Sequence, residues 1–214
     1  MKHANDIMSK KEKLKKLILR QNSGLILRKL EALNREIRNC KKCPLWKLRK
    51  DTVPGEGPIN AKIMVIGMAP GRIEDKTGRP FIGPAGKLLD QLFKIAEIKR
   101  EKIFITSSLK CLPQPPINRK PKKEEIKACL PYLEKQIEII NPQKFILLGE
   151  IAFSTFFPKK ELSSFRGKWT LPTHHPFFEG KKKFFITYHP AAGLRFPKIK
   201  KTLEKDFKNL SKSL

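Results

Sequence analysis

Apolar residues recur along the chain at two different periods. Between residues 9 and 38 they fall at Leu14, Leu17, Ile18, Ile26, Leu30, Leu33 and Ile37. That is the spacing of one helical face, set opposite a basic one, and it predicts two helices broken near "QNSG" at 21–24. From residue 62 the pattern changes to short runs rich in Ile, Val and Phe, "KIMVIG", "KIFIT", "KFILLG" and "FFITYHP". Each run is bounded by Gly, Pro, Ser or Thr, which predicts buried strands. Between them, Leu88, Leu89, Leu92, Phe93 and Ala96 mark one helical face, and Ile126, Cys129, Leu130, Leu133 and Ile137 another. Strand–helix alternation of this kind implies an α/β fold with a mainly parallel sheet covered on both sides. The ligand site of such a sheet lies beyond the C-terminal strand ends, which here carry "GMAPGRIED", "TSSLKC" and "YHP".

The 214 residues suit one domain, read as 39–214, preceded by a basic helical extension at 1–38. Charge sharpens this picture: 47 Lys and Arg against 20 Asp and Glu give a formal charge of +27. So one-sided an excess favours a polyanionic partner, with nucleic acid foremost, over a generally charged surface of the kind seen at high temperature. No run reaches the roughly 18 apolar residues that span a bilayer, and the N-terminus lacks the apolar core of a signal peptide. A cytoplasmic protein without a membrane partner is therefore expected, and in that reducing compartment its four cysteines read as ligands or buried thiols.

Cys40 and Cys43 form a C-x-x-C pair before the first strand, Cys111 follows the second, and Cys129 sits in the next helix. A zinc ribbon places its two halves about 15 to 20 residues apart, unlike this arrangement. An iron–sulfur cluster accepts dispersed thiolates, but spacing alone leaves redox pair, metal ligands and plain packing of Cys129 open.

The segments "GMAPGRIEDKTGRPFIGPAGKLLD", "TSSLKCLPQPPINRKP", "KACLPYLEKQI" and "TYHPAAGLR", in this order, resemble the iron–sulfur uracil-DNA glycosylases, and among them the family-four branch. The resemblance runs from about Cys40 to Arg195. It implies a three-layer α/β/α sandwich around a four-stranded, mainly parallel sheet. It also implies a structural [4Fe-4S] cluster on Cys40, Cys43, Cys111 and Cys129, DNA as partner, and a monomer. His189 matches the histidine that stabilises the departing base, and Phe81 the aromatic that stacks on it. Backbone around Met68, Ala69 and Gly71 faces the base or a phosphate. The N-terminal helices are open to DNA or to a partner such as a sliding clamp.

This chain departs from the family pattern at two positions. Met68 stands where the family carries Glu or Gln, and Ser107 where it carries Asn, whose amide suits uracil's edge in a bidentate way. A family-five acidic residue is likewise replaced by Pro84. Glu74 is thus expected to polarise water with Asn118 as helper, although turn capping would also suit both residues. Arg119, Lys120, Arg166 and Arg195 are expected on the DNA backbone, along with Lys168. Lys110 reads as a charge beside a phosphate or the cluster, and "THHPF" at 173–177 as a loop imitation of "YHP". The implied activity is excision of uracil, leaving an abasic site. Excision of hypoxanthine or xanthine, or DNA binding without catalysis, stand as alternatives.

Overall fold

The structure, a computed structural model, describes residues 21–117, 119–171 and 182–213. A first helix, α1, covers 21–38 and includes "QNSG" as its first described residues. No break falls within 21–38, and Gly24 costs no packing there, since a Cβ on it would meet nothing within 4 Å. Any helix before residue 21 lies outside the described residues. Leu30 joins the main core, and Leu33 and Ile37 close over Tyr132. The basic extension read at 1–38 therefore ends in a helix that packs on the domain.

Among the described residues five strands follow: β1 (Ile63–Gly67), β2 (Phe104–Ser107), β3 (Lys144–Leu148), β4 (Trp169–Thr170) and β5 (Lys183–Thr187). They lie in the order β2-β1-β3-β5-β4. The expected four are parallel to one another. The fifth, β4, is an antiparallel edge of two residues, too short to leave an alternating pattern.

The helices are α2 (Arg72–Thr77), α3 (Pro84–Ile95), α4 (Lys123–Ile140), α5 (Glu150–Phe156), α6 (Leu162–Phe165), α7 (Pro190–Arg195) and α8 (Pro197–Ser211). Strand side chains alternate between faces, so the sheet divides the core in two. Met64, Ile66, Phe145, Leu147 and Phe184 meet Leu133 and Ile137 of α4 and Phe153 of α5. On the other face, Val65, Ile146, Leu148 and Phe185 meet Leu89 and Leu92 of α3 and Leu203 and Phe207 of α8. This is the three-layer sandwich that the resemblance implies. Among the described residues, no helix is long and apolar enough to cross a membrane.

Because the four long strands are parallel, their C-terminal ends emerge on one edge of the sheet. That edge carries all the candidate chemistry. Leu203, fully buried, ties α8 to the face below it. Leu203→Ala is expected to cost about 2–5 kcal/mol in urea unfolding, through lost transfer energy and the cavity left behind.

Candidate active site and cysteine cluster

The loop after β1 stays paired with the segment after β2. Ser108 N–H donates to the Gly67 carbonyl over 2.9 Å and Leu109 N–H to Met68 over 3.0 Å. The two strand ends thus present Met68 and Ser107 side by side. Ser107 is buried, and its Oγ has no hydrogen-bond partner among the described residues. Facing it across Gly67 is Phe81. A Cβ on Gly67 would stand 2.5 Å from the Phe81 ring and 3.5 Å from Ser107 Oγ. Gly67 therefore keeps open the gap that lets ring and hydroxyl share one wall.

Phe81 sits at φ 51°, a left-handed backbone unusual for an aromatic residue. Its surroundings impose that turn. Arg100 donates to the Pro80 carbonyl over 2.8 Å. A Cβ on Gly86 would stand 1.9 Å from the Phe81 carbonyl oxygen, so only glycine lets α3 approach this closely.

Glu74 holds the same turn from behind. Its Oε1 accepts from Ile82 N–H (3.0 Å) and Gly83 N–H (2.8 Å), and its Oε2 from Gly71 N–H (3.1 Å). The expected water-polarising carboxylate is thus also the clamp between the Met68 and Phe81 loops. Its neighbour Asp75 turns away, accepting from Lys50 N–H, and burial pushes its pKa up.

His189 opens the N-terminus of α7. Its Nδ1 accepts from Ala191 N–H over 3.1 Å. An acceptor nitrogen carries no proton, so the neutral ring is protonated at Nε2. The ring lies 5.7 Å from Phe81, tilted by 30°. On its other side Gly149, at φ 85°, leaves room where a Cβ would stand 2.9 Å from that of His189. The side chain is partly exposed at the mouth, yet enough protein surrounds it for burial to push its pKa down to about 4, against the opposing pull of Glu74.

The four cysteines, all free, line one cavity together with Ile37, Leu45, Leu109, Arg49 and Tyr132. Amide and guanidinium N–H groups point at the sulfurs: Lys110 N–H to Cys129 Sγ at 3.2 Å, and Arg49 Nη1 to Cys111 Sγ at 3.4 Å. Two of these thiols are held neutral, since burial pushes Cys111 up to about 12 and Cys129 up to about 11. Among the described residues, no group of three or more His, Cys, Asp or Glu is placed to hold a single metal ion. An iron–sulfur cubane brings its own sulfides and bridges a wider gap than one ion, and N–H donors to its thiolates are customary. The donor set and its hydrogen bonds fit such a group.

Lys110 is not at the surface. Its Nζ spends three donors on Thr106 Oγ1 (2.6 Å), the Ser107 carbonyl (2.7 Å) and Gln136 Oε1 (2.7 Å). Burial lowers its pKa to about 8, with Cys129 and Cys111 opposing. The phosphate contact read from the sequence is excluded by this burial, and so is attack on a sugar; Lys110 lies instead beside Cys129 and Cys111. Gln136 and Thr106, which both bond the Pro54 carbonyl, carry no sequence signal for this role.

The expected DNA-contacting residues divide. Lys120 and Arg195 are exposed. Arg119 instead spends all five N–H groups internally, on Glu125 and on the carbonyls of Pro115, Lys120 and Gln114. It braces the loop between Cys111 and α4 and has no N–H left for a phosphate. Arg166 pairs with Asp206. Ala69 packs with Leu45, Leu109 and Cys111, between site and cysteines. Asn118 and "THHPF" lie outside the described residues.

A family model described as the Uracil DNA glycosylase superfamily matches residues 54–211. The chain is 45% identical over 190 residues to a type-4 uracil-DNA glycosylase of Sulfurisphaera tokodaii, covering 85% of this chain and 83% of that one. It is 46% identical over 191 residues to the type-4 enzyme of Saccharolobus solfataricus, covering 86% of each. To a type-5 uracil-DNA glycosylase of Pyrobaculum aerophilum it is 31% identical over 146 residues, covering 54% of this chain and 63% of that one.

The histidine yields a prediction independent of any reaction. Its folded pKa lies below the ordinary 6.5, so between about 6.5 and 4 the unfolded chain binds a proton that the folded one does not. Stability should decline as pH falls through that window. Imidazole NMR should show the Nε2–H form without titration down to about pH 5.

Proposed function

The chain belongs to the uracil-DNA glycosylase superfamily, and we propose that His189, Phe81, Ser107 and Glu74 carry out its reaction, the hydrolytic removal of uracil from DNA. The enzyme is a monofunctional uracil-DNA glycosylase of base-excision repair. The observation that carries the assignment of roles is the neutral His189 ring, capped at Nδ1 and open at Nε2, facing the Phe81 ring.

A base inside a duplex is out of reach, so the deoxyuridine is flipped into the site at a cost of a few kcal/mol. Phe81 supplies the face on which uracil stacks. Cleavage of the C1′–N1 bond sends its electron pair into the base, which leaves as an anion with charge on O2, while the sugar gains oxocarbenium character. A neutral Nε2–H aimed at that oxygen strengthens as the charge develops, which is the condition for accelerating the step. Water adds its oxygen to C1′, and the proton it gives up passes through solvent to the uracil anion, leaving neutral uracil and an abasic sugar. Glu74 has about four acceptor positions and three are taken, leaving one to orient that water. Asn118 is proposed as its helper on sequence grounds. Met68 and Ala69 line the base loop, with Met68 contributing no strong hydrogen bond.

Cys40, Cys43, Cys111 and Cys129 would hold a [4Fe-4S] cluster, which would supply a crosslink among α1, the end of β2 and α4. Lys120 and Arg195 would meet the DNA backbone, while the N-terminal segment would contact DNA or a clamp. The enzyme is proposed to work inside the cell as a monomer. A second reading, release of hypoxanthine or xanthine, is favoured by one observation: the free Ser107 hydroxyl can either donate or accept, so it reads a base edge less strictly than an amide.

Duplexes carrying a single uracil, hypoxanthine or xanthine test both readings. Uracil release is expected. His189→Ala should slow the single-turnover rate by about 10²–10³-fold, the usual loss for one donor to a developing anion. An unchanged rate would remove His189 from the mechanism. In anaerobically purified protein, Cys43→Ser or Cys129→Ser should lower the iron content and the visible iron–sulfur absorbance and reduce the melting temperature. Wild-type protein without iron or visible absorbance would contradict the cluster.

A further inference from the structure

The chemistry above makes no use of a buried charge at the junction of β5 and α8. Asp206 of α8 is 1% exposed. A carboxylate so deeply placed is costly unless charged and hydrogen-bonding partners meet it. Two do. Thr187 Oγ1 donates to Oδ2 over 2.6 Å, and Arg166 Nη1 pairs with Oδ1. Thr187 stands two residues before His189, so Asp206 holds the end of the strand that delivers the histidine.

The approach of Arg166 is equally constrained. Gly167 N–H donates to the Ile186 carbonyl over 2.9 Å, pinning this segment along β5. Gly167 adopts φ 75°, and a Cβ there would stand 2.8 Å from Asp206 Oδ1, so the backbone reaches the carboxylate only as glycine. The guanidinium then lies over the Tyr188 ring, 5.4 Å from its centroid and directly before His189 in sequence.

Held in this way, Arg166 spends one nitrogen on Asp206, where Arg119 spends all three of its own. Its Nε and Nη2 have no hydrogen-bond partner among the described residues, and 28% of the side chain remains exposed. Those two nitrogens form the edge of the guanidinium whose parallel N–H groups match two oxygens of a phosphate. The exposed Lys168 stands two residues away and adds positive charge.

We propose that Arg166 grips a DNA backbone phosphate beside the flipped nucleotide, and that Asp206 is the positioning residue that fixes this guanidinium and, through Thr187, keeps it in register with His189. The inference rests on the reading of this chain as an enzyme acting on DNA. Preorganisation is its content: an arginine already locked by a buried partner and an aromatic face loses little freedom when the phosphate arrives.

The test is fluorescence anisotropy of a labelled duplex carrying one 2′-fluoro-deoxyuridine, which resists cleavage, titrated with full-length wild type, Arg166→Ala, Arg166→Lys and Asp206→Asn across a range of KCl. Arg166→Ala is expected to weaken binding about tenfold and to reduce the slope of log affinity against log salt by about one. Arg166→Lys should retain the slope but not the full affinity, because a point charge lacks the fork. Asp206→Asn should weaken binding with little change in slope, since the charge remains but is no longer fixed. With uracil duplex, the half-saturating concentration should rise more than the maximal single-turnover rate falls.

If Arg166→Ala and Arg166→Lys change only the melting temperature, with affinity, slope and half-saturation at wild-type values, the pair is structural and the proposal is overturned. Should Asp206→Asn fail to fold, the two Arg166 variants still decide the question. Wild-type protein that binds the duplex in a salt-dependent way yet releases no base from the uracil duplex would remove the glycosylase reading, leaving the phosphate site to be judged by anisotropy alone. Wild-type protein that does not bind DNA removes both.

Discussion

The hydrogen bond from the Ala191 amide to His189 Nδ1 decides what the site can do. It sets the tautomer, and with burial it keeps the ring uncharged at neutral pH. A charged imidazolium would need a counter-ion or water around it. The neutral form leaves one directed Nε2–H in a site of low polarity, where a donor gains most as an anion develops. The cap exists because "HP" begins a helix: Pro190 takes the first position, where it costs no hydrogen bond, and the next free amide finds the imidazole.

Other features of the site hold that ring and the Phe81 face in one relation. Glu74 ties the loop after β1 to the turn at Phe81, while the glycines at 67, 86 and 149 remove the Cβ atoms that would block close approach. Behind the other wall, Lys110 binds the Ser107 carbonyl and Gln136 through its side chain, while its backbone N–H reaches Cys129. The cysteine cavity and the wall formed by Ser107 and Phe81 therefore share the end of β2. Anything that rigidifies the cysteines also rigidifies the segment carrying Ser107.

The two arginines expected on DNA show how much a residue type leaves open. Arg119 and Arg166 are both basic residues in loops near the expected site, and nothing local separates them. Glu125 and three carbonyls exhaust the first, whereas Asp206 and Tyr188 hold the second and leave one edge without a hydrogen-bond partner among the described residues. Lys110 makes the same point, since its neighbours in sequence do not disclose that its amine ends inside the protein, against Gln136.

The periods of apolar residues determined the strands and helices, because burial on one or two faces leaves a mark every second or every third to fourth residue. The order of motifs determined that His189, Phe81 and Cys111 follow the strands β5, β1 and β2, and the charge pointed to a polyanion. The helical state of 21–24 and the two-residue β4 escaped, the first because a glycine with open space around it is tolerated in a helix, the second because two residues have no period. Tertiary structure alone decided the tautomer of His189, the clamp that Glu74 makes between two loops, the burial of Lys110 and the partnership of Asp206 with Thr187 and Arg166. Each depends on groups far apart in the chain meeting within hydrogen-bond distance, and the direction of a donor or lone pair is fixed only when the packed fold brings its partner there.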